Sequence, residues 1–99
     1  MANWLVIAAV CDCPHVAVSV MDHWTPGSEG ADPGELTATG PDWRPLVRDL
    51  AVRLHRDTGL PISGMCTFVY VRDREQQAAL CNDVTELVYA LADERNIPA

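Results

Sequence analysis

Five consecutive residues near the start of the chain form its densest group of reactive side chains. They are Cys11, Asp12, Cys13, Pro14 and His15. Alternate residues of an extended chain lie on one face, so Cys11, Cys13 and His15 would point the same way in a strand. Two thiols and an imidazole can bind zinc or copper, or carry out thiol chemistry. This segment is therefore the candidate metal site of the sequence.

A complete metal site would need a further ligand from elsewhere in the chain. The candidates are Cys66, His23 and Cys81. Zinc sites usually pair cysteines at wider spacing than Cys-x-Cys, and no second pair of cysteines exists here. Cys66 and Cys81 fall in apolar segments, where a thiol often packs as a small hydrophobic group. The sequence therefore favours a protein without a cofactor, with zinc as the alternative.

Two kinds of catalytic site are further alternatives. In the first, Cys11 or Cys13 is a nucleophile activated by His15 or His23. The second is an acid–base site, and its candidate residues are Asp22, His23, His55 and Tyr70. Neither set forms a complete catalytic motif, so the sequence leans away from an enzyme.

Length and composition predict one globular domain over residues 1–99. The chain is 48% hydrophobic and 21% charged, values typical of a globular protein. No lysine or arginine precedes Arg44, so the apolar run near the start does not resemble a signal peptide, and a cytoplasmic location is expected. The cysteines would then be mostly reduced. Lysine is absent, which excludes Schiff-base lysines and the phosphate-binding lysine of a P-loop.

The chain is acidic, with a formal net charge of −7. Residues 1–43 contain six acidic residues and no basic one. A net negative surface repels nucleic acid and anionic membranes, so neither is an expected partner. The charge would serve solubility or attract a basic partner protein.

Three segments of the sequence read as strands. Residues 3–11 and 15–22 are apolar or alternating and would form an antiparallel hairpin. Its turn would lie at residues 12–14, and in that case Cys11, Cys13 and His15 would not share one strand face. Residues 65–72 are apolar on both faces, which is typical of a central strand. A long acidic loop rich in glycine and proline spans residues 23–42, and residues 35–39 within it would add a short strand.

Two helices complete the predicted fold. The first covers residues 43–58, with Asp42 as its N-cap and Gly59 as its stop. The second begins after Asp73 and ends near Asn96. The apolar stripe of the first helix contains Leu46, Val47, Leu50, Ala51 and Leu54, and that of the second contains Leu80, Val84, Leu87, Val88 and Leu91.

The order β-β-(β)-α-β-α predicts an α+β two-layer sandwich. Both helices would cover one face of a mostly antiparallel sheet of three or four strands. The apolar character of the last strand suggests that the open face meets a partner, such as a second copy in a homodimer.

The function predicted from these features is protein–protein interaction or self-assembly. An inhibitor, an immunity-type protein, an adaptor and an accessory subunit all fit. The candidate binding residues, chosen as aromatic or arginine anchors and acidic loop positions, are Trp24, Glu29, Asp32, Glu35, Trp43, Arg44 and Arg48. The alternative is a small dimeric enzyme, or a ligand- or metal-binding protein, that uses Asp22, His23 and the cluster of Cys11, Cys13 and His15.

Overall fold

A computed structural model describes residues 4–22 and 35–96. It confirms the α+β fold: within these residues, four strands form one sheet and two helices pack against it. The strands are β1 (Trp4–Val10), β2 (Val16–Met21), β3 (Leu36–Gly40) and β4 (Phe68–Tyr70), and the helices are α1 (Trp43–Thr58) and α2 (Arg74–Arg95). Neither helix combines the length and apolar composition that would let it cross a bilayer.

The two central strands form the predicted hairpin. β1 pairs with β2 in antiparallel register, from Leu5 opposite Met21 to Val10 opposite Val16. The Cys11 backbone N–H donates to the His15 carbonyl oxygen at 2.9 Å, which extends the pairing by one residue on each strand. The hairpin therefore ends in a tight loop that carries the cysteines.

The outer strands pair in opposite senses. β3 lies antiparallel to β1, whereas β4 runs parallel to β2, so the sheet order is β3-β1-β2-β4. The short strand expected at residues 35–39 is present as β3, shifted by one residue. The sheet is mostly antiparallel, as predicted.

The prediction of a long central strand over residues 65–72 was wrong. Residues Gly64–Cys66 form a turn of 3₁₀ helix, and β4 is a three-residue strand at the sheet edge. Within β4, Val69 is buried in the core, while the flanking Phe68 and Tyr70 are about half exposed. The apolar residues on the two faces of this segment thus have different surroundings: one face is buried, and the other carries exposed aromatic rings.

Both helices begin and end at the predicted signals. The Asp42 side chain accepts a hydrogen bond from the Arg44 backbone N–H at 3.1 Å and caps α1. Gly59 ends that helix at a φ of 73°, a left-handed conformation that glycine adopts without a Cβ clash. Asp73 caps α2 by accepting from the Glu75 backbone N–H at 2.9 Å.

One hydrophobic core lies between the helices and a single face of the sheet. β1 and β2 contribute alternate residues to it, as their period of two requires. These residues are Val6, Ala8, Val16, Val18 and Val20. The apolar stripes predicted for the two helices pack against them, and Trp43 at the start of α1 joins the core with only 4% of its surface exposed.

Truncation of Trp43 should destabilise the whole domain. Because its indole is buried, Trp43→Ala removes a large core side chain, and we expect a loss of about 3–5 kcal/mol in the free energy of unfolding. Phe68→Ala is the matched control, since Phe68 is 52% exposed and should cost less than about 1 kcal/mol. Urea denaturation followed by circular dichroism measures both. Equal losses in the two variants would contradict the assignment of Trp43 to the core.

Candidate functional site

The hairpin loop holds two of the four cysteines at one end of the sheet. Cys11 follows the last residue of β1, and Cys13 lies at the exposed tip before Pro14. The hydrogen bond from the Cys11 N–H to the His15 carbonyl closes the base of the loop. The two thiols are therefore held on a short segment of restricted conformation.

The third thiol, that of Cys66, is placed beside this loop by the parallel pairing at the edge of the sheet. The Val16 backbone N–H donates to the Pro61 carbonyl oxygen at 2.8 Å, and the Ser63 N–H donates to the Val16 carbonyl at 3.0 Å. These bonds hold the chain beside the first residue of β2, directly after the loop. The 3₁₀ turn that follows ends at Cys66, which is thereby placed next to the loop tip.

Three sulfur atoms converge at this point. Cys11 Sγ lies 3.0 Å from Cys13 Sγ, and Cys13 Sγ lies 3.8 Å from Cys66 Sγ. All three sulfurs lie within 4.8 Å of one another. We call these three residues the thiol cluster. Cys13 is exposed, and the other two are partly buried, so the cluster opens to solvent.

The close contacts between these sulfurs shift the pKa values of Cys11 and Cys13 in opposite directions. The hydrogen bond from Cys13 is the main cause that lowers the pKa of Cys11 to about 7, and backbone N–H groups of His15 and Cys13 also favour its thiolate. The same contact with Cys11, followed by that with Cys66, raises the pKa of Cys13 to about 11. The two thiols therefore compete for one proton near neutral pH, and the contact between them favours one thiolate in the pair, with Cys11 as the candidate nucleophile.

His15 is in the same loop but outside the thiol cluster. Its Nδ1 is buried and has no hydrogen-bond partner. A buried ring nitrogen without a partner is rare, because leaving it unpaired costs free energy. The imidazole would need to change its rotamer or the loop would need to adjust for this nitrogen to act as a ligand.

The remaining cysteine is separate from the cluster. Cys81 lies on α2 and packs against the hydrophobic core, where it is partly buried. Its position away from the other three thiols does not support the hypothesis that Cys81 is a further metal ligand. Cys81 therefore serves as an internal control thiol in the same protein.

The predicted acid–base residues do not form one group in the part of the chain that is described. The Asp22 carboxylate accepts a hydrogen bond from the Arg72 backbone N–H at 3.2 Å, and this bond helps to join the ends of β2 and β4. His55 Nδ1 donates to the Leu60 carbonyl oxygen at 2.6 Å beyond the end of α1. Tyr70 is half exposed on the edge strand, and His23 lies outside the described residues.

Four of the seven predicted binding residues lie in the described part of the chain. Trp24, Glu29 and Asp32 lie outside the described residues, and Glu35 directly precedes β3. Trp43 packs in the core and does not display its ring on the surface.

The two arginines of this set are exposed on α1. The Arg44 guanidinium lies 4.5 Å from the centre of the Trp43 ring. Arg48 forms an ion pair with Glu94 of α2 at 2.9 Å. Both arginines therefore have partners within the protein.

No model of a protein family, no curated protein and no solved structure matches the chain.

The pH dependence of alkylation should identify Cys11 as the nucleophile. Its pKa of about 7 means that iodoacetamide should reach half its maximal rate at Cys11 near pH 7, against about 8.5 for an ordinary thiol. Cys13→Ala removes the main cause of the lowered pKa, so the half-maximal pH should move upward. Mass spectrometry with fragmentation locates the adduct, and Cys81→Ala is the control that should leave the profile unchanged. A profile that does not respond to Cys13→Ala would contradict this account.

Proposed function

We propose that this protein binds one thiophilic metal ion through the thiolates of Cys11, Cys13 and Cys66, and that copper(I) is the preferred ion. The convergence of three sulfur atoms within 4.8 Å carries the proposal. Cys13 and Cys66 are 53 residues apart in the chain, so their approach results from the fold and not from sequence proximity.

The spacing of the sulfurs is compatible with a shared ion. A metal bonded to three trigonally placed sulfurs at about 2.3 Å, as in a three-coordinate copper(I) site, holds each pair about 4.0 Å apart. The Cys13–Cys66 distance of 3.8 Å is close to that spacing. The Cys11–Cys13 distance of 3.0 Å is shorter, and widening it to the same spacing requires a movement of about 1 Å in the hairpin loop.

The number and type of donors favour copper(I). Thiolates are soft ligands that select copper(I), zinc or iron–sulfur clusters. Structural zinc sites almost always have four protein ligands, whereas copper(I) is stable with three sulfurs. The cluster among the described residues supplies three thiols, and a zinc ion would need a fourth ligand in addition to them.

Access to the cluster supports exchange of the ion with solvent or with another ligand. Cys13 is exposed at the loop tip, and no core residue separates it from water. Binding would therefore require no opening of the hydrophobic core. The cytoplasmic location predicted from the sequence would keep the three thiols reduced, and it stays a prediction.

The other functions considered for the sequence also stay predictions. Partner binding or self-assembly depended on a loop whose key residues, Trp24, Glu29 and Asp32, lie outside the described part of the chain. The acid–base alternative depended on His23, which lies there as well.

Metal titration of the reduced protein tests the proposed function. We expect one copper(I) per chain, detected by native mass spectrometry and by competition with a chromophoric copper(I) chelator under anaerobic conditions. Serine at position 11, 13 or 66 removes one of three thiolates, and each variant should weaken copper(I) binding at least about tenfold. Cys81→Ser is the matched control and should bind as the unmodified protein does.

Two results would overturn the proposal. One is the absence of a one-metal species with either copper(I) or zinc. The other is an equal loss of binding in Cys81→Ser and Cys66→Ser. Tighter binding of zinc than of copper(I), reduced by His15→Ala, would retain the site but replace the proposed ion.

A further inference from the structure

The arrangement of the thiol cluster also suits a reaction that needs no metal. We propose that Cys11 and Cys13 form a redox-active dithiol that reduces low-molecular-weight disulfides and becomes a Cys11–Cys13 disulfide in the process. This activity goes beyond metal binding and does not depend on it.

The sulfur-to-sulfur distance supports transfer between these two thiols. Reacting atoms held about 3–3.5 Å apart are close to the geometry of attack. Cys11 Sγ and Cys13 Sγ are 3.0 Å apart, while Cys13 and Cys66 are separated by 3.8 Å. The shorter separation favours Cys11–Cys13 as the product over a bond to Cys66.

The position of the pair suits a substrate that arrives from solvent. Cys13 is exposed, and Cys11 is partly exposed beside it in the same loop. A flexible small disulfide can therefore reach either sulfur without movement of a helix or strand. Cys81, packed against the core, has no neighbouring thiol among the described residues with which to form a product.

The reaction balances as two successive exchanges. One protein thiolate attacks a sulfur of the external disulfide, whose S–S bond breaks, and one external thiolate leaves. The second protein thiolate then attacks the protein sulfur of the mixed disulfide and expels the other external thiolate. The pair loses two electrons, the external disulfide gains them, and the two protons of the protein thiols end on the two released thiols.

The second exchange is fast because it is intramolecular. The attacking sulfur is held beside the mixed disulfide, so its effective concentration greatly exceeds that of any external thiol. We therefore expect the mixed disulfide to remain below about one-tenth of the protein during the reaction.

The experiment uses glutathione disulfide as the probe and the full chain in the presence of a metal chelator. The parent protein is Cys66→Ser combined with Cys81→Ser, in which Cys11 and Cys13 are the remaining cysteines. Each parent molecule should release two glutathione molecules and lose two hydrogen atoms in mass. With Cys11→Ser added, the protein should release one glutathione and retain the other as a stable adduct on Cys13.

The position of the disulfide is read from tryptic peptides of the unmodified protein. Cleavage after arginine, except before Pro45, places Cys11 and Cys13 in residues 1–48 and Cys66 in residues 57–72. An internal disulfide in residues 1–48 is the expected product. Circular dichroism of every variant confirms that the fold is retained.

Three outcomes would overturn the inference. They are a mixed disulfide that persists in the parent protein, a main product that joins residues 1–48 to residues 57–72, and no reaction with glutathione disulfide. Because the chelator removes metal from the assay, each of these outcomes is independent of whether copper(I) binds.

Discussion

The parallel pairing between β2 and the segment that leads into β4 determines the site. The hydrogen bonds of Val16 with Pro61 and Ser63 fix the start of this pairing, and the Asp22 carboxylate joins its far end to the Arg72 backbone. Without this register, Cys66 would not lie beside Cys11 and Cys13. A one-residue shift in the pairing would move every side chain of β4 to the opposite face and would withdraw Val69 from the core. Burial of Val69 therefore stabilises the register on which the thiol cluster depends.

Cys13 contacts both other members of the cluster, and this position links the two proposed activities. Its sulfur lies 3.0 Å from that of Cys11 and 3.8 Å from that of Cys66. A metal ion needs all three sulfurs as thiolates, whereas a disulfide uses two of them in a covalent bond. The reduced protein would thus be the form that binds metal, and the oxidised protein would retain one thiol of the set. Metal binding and disulfide formation would therefore be mutually exclusive in one molecule.

Much of the fold could be read from the sequence because its signals are local. Asp42 and Gly59 mark the ends of α1, and each acts through hydrogen bonds or backbone conformation within a few residues. The hairpin could likewise be predicted from its alternating residues. The length of β4 could not, because the apolar run over residues 65–72 does not reveal which residues turn and which pair. That distinction depends on contacts with β2, which are distant in sequence.

The site was predictable only in part, because two of its cysteines are close in sequence and the third is brought in by a distant pairing. Cys11 and Cys13 stand out by spacing alone, and Cys66 could be named as a further ligand but not placed beside them. Its position requires the parallel register, which no short motif in the chain encodes. His15 was expected to share the site only if residues 11–15 were extended, and the alternative was a hairpin turn that separates them. The loop departs from the extended form, and the imidazole lies outside the thiol cluster.

The separation of 53 residues between Cys13 and Cys66 has a consequence for the order in which the site is assembled. During synthesis the hairpin cysteines leave the ribosome first, and Cys66 follows only after all of α1 has emerged. A nascent chain therefore presents a two-thiol loop, and the third sulfur arrives when β4 docks against β2. We expect pairing between such distant segments to form late in folding, because it must overcome the entropy cost of closing the long loop between them. The thiol cluster is accordingly a feature of the finished domain, and the trapping of its third sulfur would report the completion of folding.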